Sequence, residues 1–161
     1  MYYTTYHSPF GDIALTANDD GLTALSFLDG EKPLVLDENH QKSPQHFTEV
    51  ITQLTQYFAH ERTQFNLPLA PQGTAFQQQV WQALQTINFG DTQSYAWLAK
   101  YIQNEKAVRA VGSANGKNPI ALIIPCHRVI GSNKKLTGYA GGLTLKAKLL
   151  SHEKAEFINK K

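Results

Sequence analysis

The residues best suited to chemistry lie in the run Pro125-Cys126-His127-Arg128, which holds the single cysteine of the 161-residue chain. A free thiol is mostly protonated at neutral pH, and a neighbouring imidazole or cation favours the nucleophilic thiolate. His127 and Arg128 provide that neighbourhood. Adjacent side chains of an extended strand point to opposite faces, so Cys126 can reach His127 only through a tight turn or a bridging water. We expect a nucleophile in a tight turn with a water relay; the alternative is a buried, inert thiol.

Two neighbouring segments must position this run. The residues 121–124 are all apolar and Pro125 removes a backbone donor after them, so we expect a short strand there. The preceding stretch, 115–119, is rich in residues that favour turns. The side chain of Asn118 can hold that turn closed and link an upstream helix to Cys126, or it can simply cap the turn.

A glycine-rich loop follows the cysteine run. Residues 136–143 expose backbone N–H groups beside Tyr139, without the lysine and hydroxyl of a P-loop or a G-x-G-x-x-G pattern. This composition suits a pocket for a planar ligand that forms hydrogen bonds. In the final helix, which buries Leu145, Leu149 and Leu150, His152 and Glu153 lie near the end. Either can orient another histidine, although surface exposure is the commoner arrangement there.

Arg109 is the one long cationic side chain on a predicted helix of small residues. Its neighbours are Ala107, Val108, Ala110, Gly112, Ser113 and Ala114. A helix with such a smooth surface can approach another body closely. Small residues also permit tight core packing, but an unpaired arginine is costly to bury.

The helix that carries Arg109 follows another short helix. Ser94 can cap the first, whose apolar residues are Trp97, Leu98, Tyr101 and Ile102, and Glu105 opens the second. Two short helices and a tight turn indicate a helix-turn-helix. Other small helical domains contain the same pattern, so the spacing alone leaves both interpretations open.

The first part of the chain predicts a hairpin-rich sheet with one helix. Residues 2–6 favour a strand, and the turn sequence 18–21 separates two further apolar segments, as in an antiparallel hairpin. Residues 30–44 are expected to form a loop. Apolar residues over 47–58 recur at steps of three and four, which predicts a helix.

A linker is predicted after this sheet. Residues 65–69 are expected to form a short strand, and two prolines and a glycine follow within 68–73. Thr74 and Gln77 have the spacing of a capping box, and the helix behind them presents Phe76, Val80, Trp81, Leu84 and Ile87. We therefore expect an N-terminal domain, 1–70, and a C-terminal domain, 71–161.

Charge is distributed unevenly between the two parts. Residues 1–90 contain three basic and nine acidic side chains, a net charge of −6, whereas residues 91–161 contain twelve basic and four acidic, a net charge of +8. A strongly basic region indicates a polyanionic partner, most commonly nucleic acid. A solvated basic face is the alternative.

Composition excludes several classes of protein. With 42% hydrophobic and 11% aromatic residues, the chain is globular, and no apolar run approaches the roughly 20 residues that span a bilayer. The start lacks the features of a secretory signal, so we expect a cytoplasmic protein that does not engage a membrane. One cysteine permits no internal disulfide and does not favour a structural zinc site, so no metal is expected. Four histidines are assigned to the surface: His7, His40, His46 and His60.

In these motifs the chain resembles the O6-alkylguanine-DNA alkyltransferases. The resemblance is close over about 73–154 and loose over the N-terminal third, through Ser8-Pro9-Phe10-Gly11 and Gly21-Leu22. Its motifs appear in family order: Gly73-Thr74-Ala75-Phe76, Val80-Trp81, Ser94-Tyr95, Arg109-Ala110-Val111-Gly112, Asn118-Pro119, Pro125-Cys126-His127-Arg128-Val129-Ile130, Gly138-Tyr139-Ala140-Gly141-Gly142, Lys146, Leu149-Leu150 and Glu153.

The resemblance implies a role for each matching residue of the catalytic site. Cys126 takes the alkyl group from guanine O6, His127 acts as a base through water, and Glu153 orients His127. Tyr139 helps to protonate the departing guanine. The pocket is implied to include Asn115, the hinge residue Asn118, Val129, Ala140 and Gly141; family members often have serine where Ala140 stands, so a side-chain bond is absent there.

The resemblance also implies how the lesion is reached. The helix with Arg109 enters the minor groove of duplex DNA, Arg109 fills the gap left by the flipped nucleotide, and Tyr95 crowds its phosphate. Val108, Ala110 and Gly112 complete that surface. Binding is expected to depend weakly on sequence and strongly on salt. Substrates are chiefly O6-methylguanine and also O4-methylthymine; the protein is a monomer that needs no cofactor and acts once.

The implied fold class is α/β: a small N-terminal α/β domain with a hairpin-rich antiparallel sheet, RNase H-like, plus a mostly helical C-terminal domain with a helix-turn-helix, winged-helix-like. Three other functions compete. A non-catalytic module that senses alkylated DNA would lack Cys126, a Cys/His hydrolase would not need Arg109, and a helix-turn-helix transcription factor would need polar, base-reading side chains around Arg109.

Overall fold

The N-terminal region is a four-stranded sheet covered by one helix. In the structure, a computed structural model that describes residues 1–30, 33–139 and 142–158, strands β1 (Tyr2–Ser8), β2 (Gly11–Asn18) and β3 (Gly21–Phe27) form an antiparallel meander. The predicted hairpin is confirmed, because the side chain of Asn18 accepts hydrogen bonds from the backbone of Asp20 and Gly21 in its turn.

The segment predicted as a loop contains one short strand. β4 (Gln41–Lys42) pairs in parallel with β1, so the sheet order is β3-β2-β1-β4. A 3-10 turn (Pro44–Phe47) leads into α1 (Thr48–Phe58), which confirms the helix predicted over 47–58. α1 buries Val50, Leu54 and Tyr57.

Two later segments of the chain form backbone hydrogen bonds with β3, the edge strand of the sheet. Leu22 donates its N–H to Pro68 (3.0 Å) and accepts from Ala70 (2.8 Å). Leu25 binds the residues before Cys126 in the same way, donating to Pro119 (3.0 Å) and accepting from Ala121 (3.1 Å). The N-terminal sheet therefore supports both the linker and the approach to the cysteine.

The two short strands predicted at these segments are wrong. Residues 65–69 contribute only an isolated bridge between Leu69 and Leu22. Residues 121–124 form a turn in which Leu122 has a positive φ of 72°. Residues 121–124 are buried or half-buried and residues 65–69 are half-buried or exposed, and a short run of apolar residues does not by itself distinguish a strand from a turn or an irregular segment.

Among the described residues, the C-terminal region contains four α-helices. They are α2 (Ala75–Leu84), α3 (Tyr95–Tyr101), α4 (Val108–Gly116) and α5 (Leu143–His152). The capping box of Thr74 and Gln77 is present, while α2 ends before the predicted Ile87. The Ser94 cap is confirmed, since its hydroxyl accepts from the N–H of Trp97 at 3.0 Å.

The helix-turn-helix consists of α3 and α4. A 3-10 turn (Glu105–Ala107) precedes α4, and α4 runs through Asn115 and Gly116, so the predicted turn at 115–119 begins two residues later than expected. β5 (Gln93–Ser94) and β6 (Val129–Ile130) pair in parallel beside these helices. An N-terminal sheet domain followed by a helical domain confirms the predicted fold class. None of the helices in the described ranges is long and apolar enough to cross a membrane.

Candidate active site

Cys126 lies in a buried 3-10 turn. The turn spans Cys126–Arg128, and Arg128 donates its backbone N–H to Pro125 at 3.0 Å. Cys126 is 5% exposed and His127 is fully buried. The predicted tight turn is confirmed, whereas the water relay between Cys126 and His127 stays a prediction.

Asn118 closes the turn that leads to the cysteine. Its Nδ2 donates to the carbonyl of Ile124 at 2.7 Å, and its Oδ1 accepts from the N–H of Ile120 at 3.0 Å. These bonds hold the turn in which Leu122 adopts a left-handed conformation, which costs a non-glycine residue about 1–2 kcal/mol. Asn118 therefore links the end of α4 to Cys126, as the sequence suggested it could.

Glu153 is the acceptor at the centre of the site. It follows α5, is 1% exposed, and does not lie at the surface as its position near a helix end suggested. Its Oε2 accepts from His127 Nε2 (2.9 Å), Arg128 Nη2 (3.0 Å) and Tyr57 Oη (2.6 Å), while Oε1 accepts from Arg128 Nε (2.8 Å).

These contacts set the protonation of the pair. Burial favours the neutral carboxyl, but His127 and Arg128 outweigh it and hold the pKa of Glu153 far below its usual range. For His127, burial lowers the pKa more than the Glu153 carboxylate raises it. His127 is therefore a neutral imidazole whose Nε2–H donates to Glu153, which leaves Nδ1 as a proton acceptor.

The thiol is protonated at rest. Burial raises the pKa of Cys126, and the Asn118 amide and the Lys146 ammonium oppose this shift only in part. The expectation that Arg128 favours the thiolate is wrong, because its guanidinium binds Glu153 and the carbonyl of Ile87. Cys126 consequently needs a base to become nucleophilic, and His127 is the adjacent one.

A cavity of about 180 Å³ is lined in part by Cys126. Its walls come from both domains, with Asn115, Asn118 and Tyr139 on one side and Ser26 and Phe27 of β3 on the other. Within the described residues, three buried side-chain atoms lack a hydrogen-bond partner: Asn115 Oδ1, His127 Nδ1 and Tyr139 Oη.

These three atoms surround the nucleophile. Asn115 Nδ2 donates to the Cys126 carbonyl at 3.5 Å, Tyr139 shares the cavity wall with Cys126, and His127 is its chain neighbour. Burial raises the pKa of Tyr139, so its hydroxyl keeps its proton and can donate it. Unpartnered buried polar atoms are rare and costly, and their concentration here indicates a site for a polar ligand.

The remaining predicted pocket residues are placed differently. Val129 is fully buried, does not line the cavity, and directs its carbonyl to Lys146 Nζ at 2.6 Å. Ala140 and Gly141 lie outside the described residues.

Two buried residues of the site, Tyr57 and Lys146, were not assigned a role from the sequence alone, and Arg128 was assigned a different one. Arg128 and Tyr57 bind Glu153, and fully buried Lys146 donates to Val129 and Thr137. Burial lowers the pKa of Lys146 to about 8. A lysine in the apolar register of α5, between Leu145 and Leu149, was the signal available in the sequence.

The predicted nucleic-acid surface is the outer face of α4. Val108, Arg109 and Ala110 are exposed, and Gly112 is half-buried against the ring of Tyr95. The hydroxyl of Tyr95 is 2.6 Å from Thr137 Oγ1. α4 is anchored from behind, because the indole of Trp81 donates to the Ala114 carbonyl at 2.9 Å.

The four histidines assigned to the surface do not line the cavity, whereas His152 packs against the ring of Tyr57, and its Nε2 lies 2.9 Å from the Tyr57 carbonyl oxygen. His7, His46 and His60 are exposed, and His40 is half-buried beside Asp37. Within the ranges that the structure describes, no three His, Cys, Asp or Glu side chains are grouped to hold a metal ion.

Two known sequence families match consecutive parts of the chain. Residues 1–71 match the 6-O-methylguanine DNA methyltransferase, ribonuclease-like domain, and residues 75–155 match the 6-O-methylguanine DNA methyltransferase, DNA binding domain. Together the two matches cover nearly the whole chain.

Individual relatives are similar over their full length. The methylated-DNA–protein-cysteine methyltransferase of Methanosarcina acetivorans is 48% identical over 153 residues, 95% of this chain and 98% of the relative. The constitutive enzyme of that name from Bacillus subtilis is 46% identical, covering 99% of each chain. Among solved structures, an OGT from Mycobacterium tuberculosis in complex with DNA matches with a TM-score of 0.90 and 45% identity, covering 96% of this chain and 93% of that one.

Proposed function

The chain belongs to the 6-O-methylguanine DNA methyltransferase family, and from this premise we propose that it repairs DNA by transferring the O6-alkyl group of guanine, chiefly methyl, to Cys126. The observation that carries the proposal is the buried Cys126 thiol next to a neutral His127 whose Nε2 is bound to Glu153. O4-methylthymine is the proposed second substrate.

The geometry supports a single displacement. His127 takes the thiol proton at Nδ1, through water, and the Glu153 carboxylate stabilises the resulting imidazolium. The sulfur then forms a bond to the alkyl carbon while the bond from that carbon to O6 breaks. The electron pair leaves with the guanine, which Tyr139 protonates. The product thioether has no easy hydrolytic route back to a thiol, so each molecule acts once.

The lesion reaches Cys126 only outside the stacked duplex. Unstacking a base costs a few kcal/mol, and a side chain inserted in its place offsets part of that cost. Arg109 is exposed at the start of α4 among small residues, and Tyr95 lies beside Gly112. We assign α4 to the minor groove, with Val108, Ala110 and Gly112 at the contact and Arg109 in the stack.

The two domains divide this work. Residues 71–161 carry the nucleophile, the pocket and the DNA surface, and residues 1–70 support them through the β3 edge and Tyr57. A chemistry that depends on one reduced thiol, with DNA as the substrate, favours the cytoplasm and a monomer without a cofactor.

The test is intact-protein mass spectrometry after incubation with a duplex that contains one O6-methylguanine. We expect one methyl in place of one hydrogen, saturating at one per protein and mapped to the Cys126 peptide. Cys126→Ser, which keeps the side-chain volume nearly unchanged, and the unmethylated duplex serve as controls.

Other outcomes identify the competing functions. Tight binding of the lesion without any mass change would indicate a sensing module. Repeated release of product with an unmodified protein would indicate a hydrolase. Either result overturns the proposal.

A further inference from the structure

The N-terminal domain contributes one side chain to the catalytic hydrogen-bond network. Tyr57 lies in the last turn of α1 and is fully buried. Its hydroxyl donates to Oε2 of Glu153 at 2.6 Å, across 96 residues of chain. Burial and the neighbouring carboxylate raise the pKa of Tyr57, so the phenol keeps its proton and acts as a donor.

Tyr57 shares its acceptor atom with the base. Oε2 of Glu153 also accepts from His127 Nε2 at 2.9 Å. Each hydrogen bond donated to a carboxylate stabilises its charge and reduces its attraction for any further proton. The phenol thus competes with the imidazole for the same oxygen. Removing the phenol would strengthen the attraction between the Glu153 carboxylate and a protonated His127.

Resting on the proposed function, we propose that Tyr57 is a positioning residue that fixes the Glu153 carboxylate and limits its attraction for protons on His127. Through this bond the N-terminal domain sets the pH below which His127 is already protonated and cannot accept the thiol proton. Tyr57 does not line the cavity and its hydroxyl binds Glu153, so its influence acts through Glu153.

The groups that face His127 come from three parts of the fold. Cys126 and Arg128 flank it in the 3-10 turn, Glu153 and Lys146 face it from α5 and its end, and Tyr57 reaches Glu153 from α1. Removing the phenol oxygen changes no formal charge among them. A shift in the protonation of His127 would therefore report the lost hydrogen bond.

The experiment is the pH dependence of the single-turnover methyl transfer rate, measured by quench and mass spectrometry for wild type and Tyr57→Phe. We expect the acidic limb of the profile to move to higher pH by about 0.5–1 unit in the variant, because the imidazolium is stabilised. The high-pH rate should stay within about threefold of wild type.

Tyr6→Phe is the matched control. It removes the Tyr6 hydroxyl, whose oxygen lies 3.1 Å from Thr55 Oγ1. Thr55 belongs to α1, the helix that carries Tyr57, but this hydrogen bond does not involve Glu153. Its profile should superimpose on that of wild type. Site-specific 3-fluorotyrosine in place of Tyr57 supplies a second variant: its more acidic phenol is a stronger donor, so the limb should move to lower pH.

The outcomes separate the two proposals. Absence of methyl transfer by wild type overturns the proposed function itself. Transfer by wild type, with profiles of both Tyr57 variants that superimpose on it, overturns the inference about Tyr57 alone. A lower melting temperature for Tyr57→Phe with an unshifted profile would show a merely structural tyrosine and would also overturn it.

Discussion

Arg128 holds Glu153 at two points, with Nε 2.8 Å from Oε1 and Nη2 3.0 Å from Oε2, and both side chains are buried. The third guanidinium nitrogen, Nη1, donates to the Ile87 carbonyl at 2.6 Å. The two bonds from Arg128 therefore fix the plane of the Glu153 carboxylate. In this orientation its Oε2 accepts the hydrogen bond from His127 Nε2. A lysine could supply the charge in this position but not the two parallel bonds.

Replacing Arg128 should destabilise the fold strongly. Arg128→Ala leaves Glu153 buried without its cation, and breaking such a pair costs about 3–5 kcal/mol. Urea unfolding measures the loss. Arg62→Ala is the matched control: among the described residues Arg62 binds neutral partners, the Gln56 side chain and the Gln64 carbonyl, so its replacement should cost about 1 kcal/mol or less. Equal decreases in the free energy of unfolding for the two variants would show that the buried pair of Arg128 and Glu153 does not contribute more to stability than an exposed arginine does.

Local signals in the sequence predicted the local structure well. The capping box of Thr74 and Gln77 needs only residues three apart, and the Ser94 cap likewise. The turn at 121–124 depends instead on Asn118 and on a left-handed Leu122, neither of which an apolar run reveals.

The active site shows the same difference between local features, which the sequence predicts, and contacts that depend on the rest of the fold. The run of Cys126, His127 and Arg128 marked the nucleophile, but the direction of each side chain came from the 3-10 turn. Arg128 faces Glu153, which no spacing within the run could show. Tyr57 and Glu153 meet only because α1 packs against the end of α5, and such long-range convergence leaves no periodic signal.

His127 should make the folded protein sensitive to acid. Because its pKa is lowered by folding, the unfolded chain binds more protons than the folded one as pH falls below the ordinary histidine value of about 6.5. The free energy of unfolding should therefore decrease from pH 8 to pH 5.5.

The comparison with His127→Gln isolates this histidine, since the other five are common to both proteins. Urea unfolding at pH 8 and pH 5.5 should show a smaller decrease in the variant. Parallel curves for the two proteins would contradict a neutral, buried His127.

Arg109 should matter for duplex DNA and not for an accessible base. The inserted side chain compensates for part of the free-energy cost of unstacking the base, and Arg109→Ala removes that compensation. The variant should therefore transfer the methyl group from duplex O6-methylguanine about tenfold more slowly. Transfer from the free base O6-benzylguanine should not change. Lys106→Ala, which removes a neighbouring exposed cation, should weaken salt-dependent binding only slightly. A parallel loss with duplex and free base would place the role of Arg109 in the active site instead.

Gly112 should show opposite effects on stability and on DNA binding. A Cβ at this position would lie 3.7 Å from Tyr95 Cδ1, an ordinary contact, so Gly112→Ala should stabilise α4 by about 0.5–1 kcal/mol. The same methyl stands one helical turn from Arg109, on the face assigned to the minor groove.

Close approach of α4 to the DNA backbone should then be impaired, and affinity for the methylated duplex should fall about threefold or more. Urea unfolding and fluorescence anisotropy measure the two effects on one preparation. Thr52→Ala, at an exposed position of α1, is a control that raises helix propensity without touching α4. A variant at Gly112 that is more stable and binds duplex as tightly as wild type would remove Gly112 from the DNA interface, although Arg109 and Ser113 are exposed on the same helix.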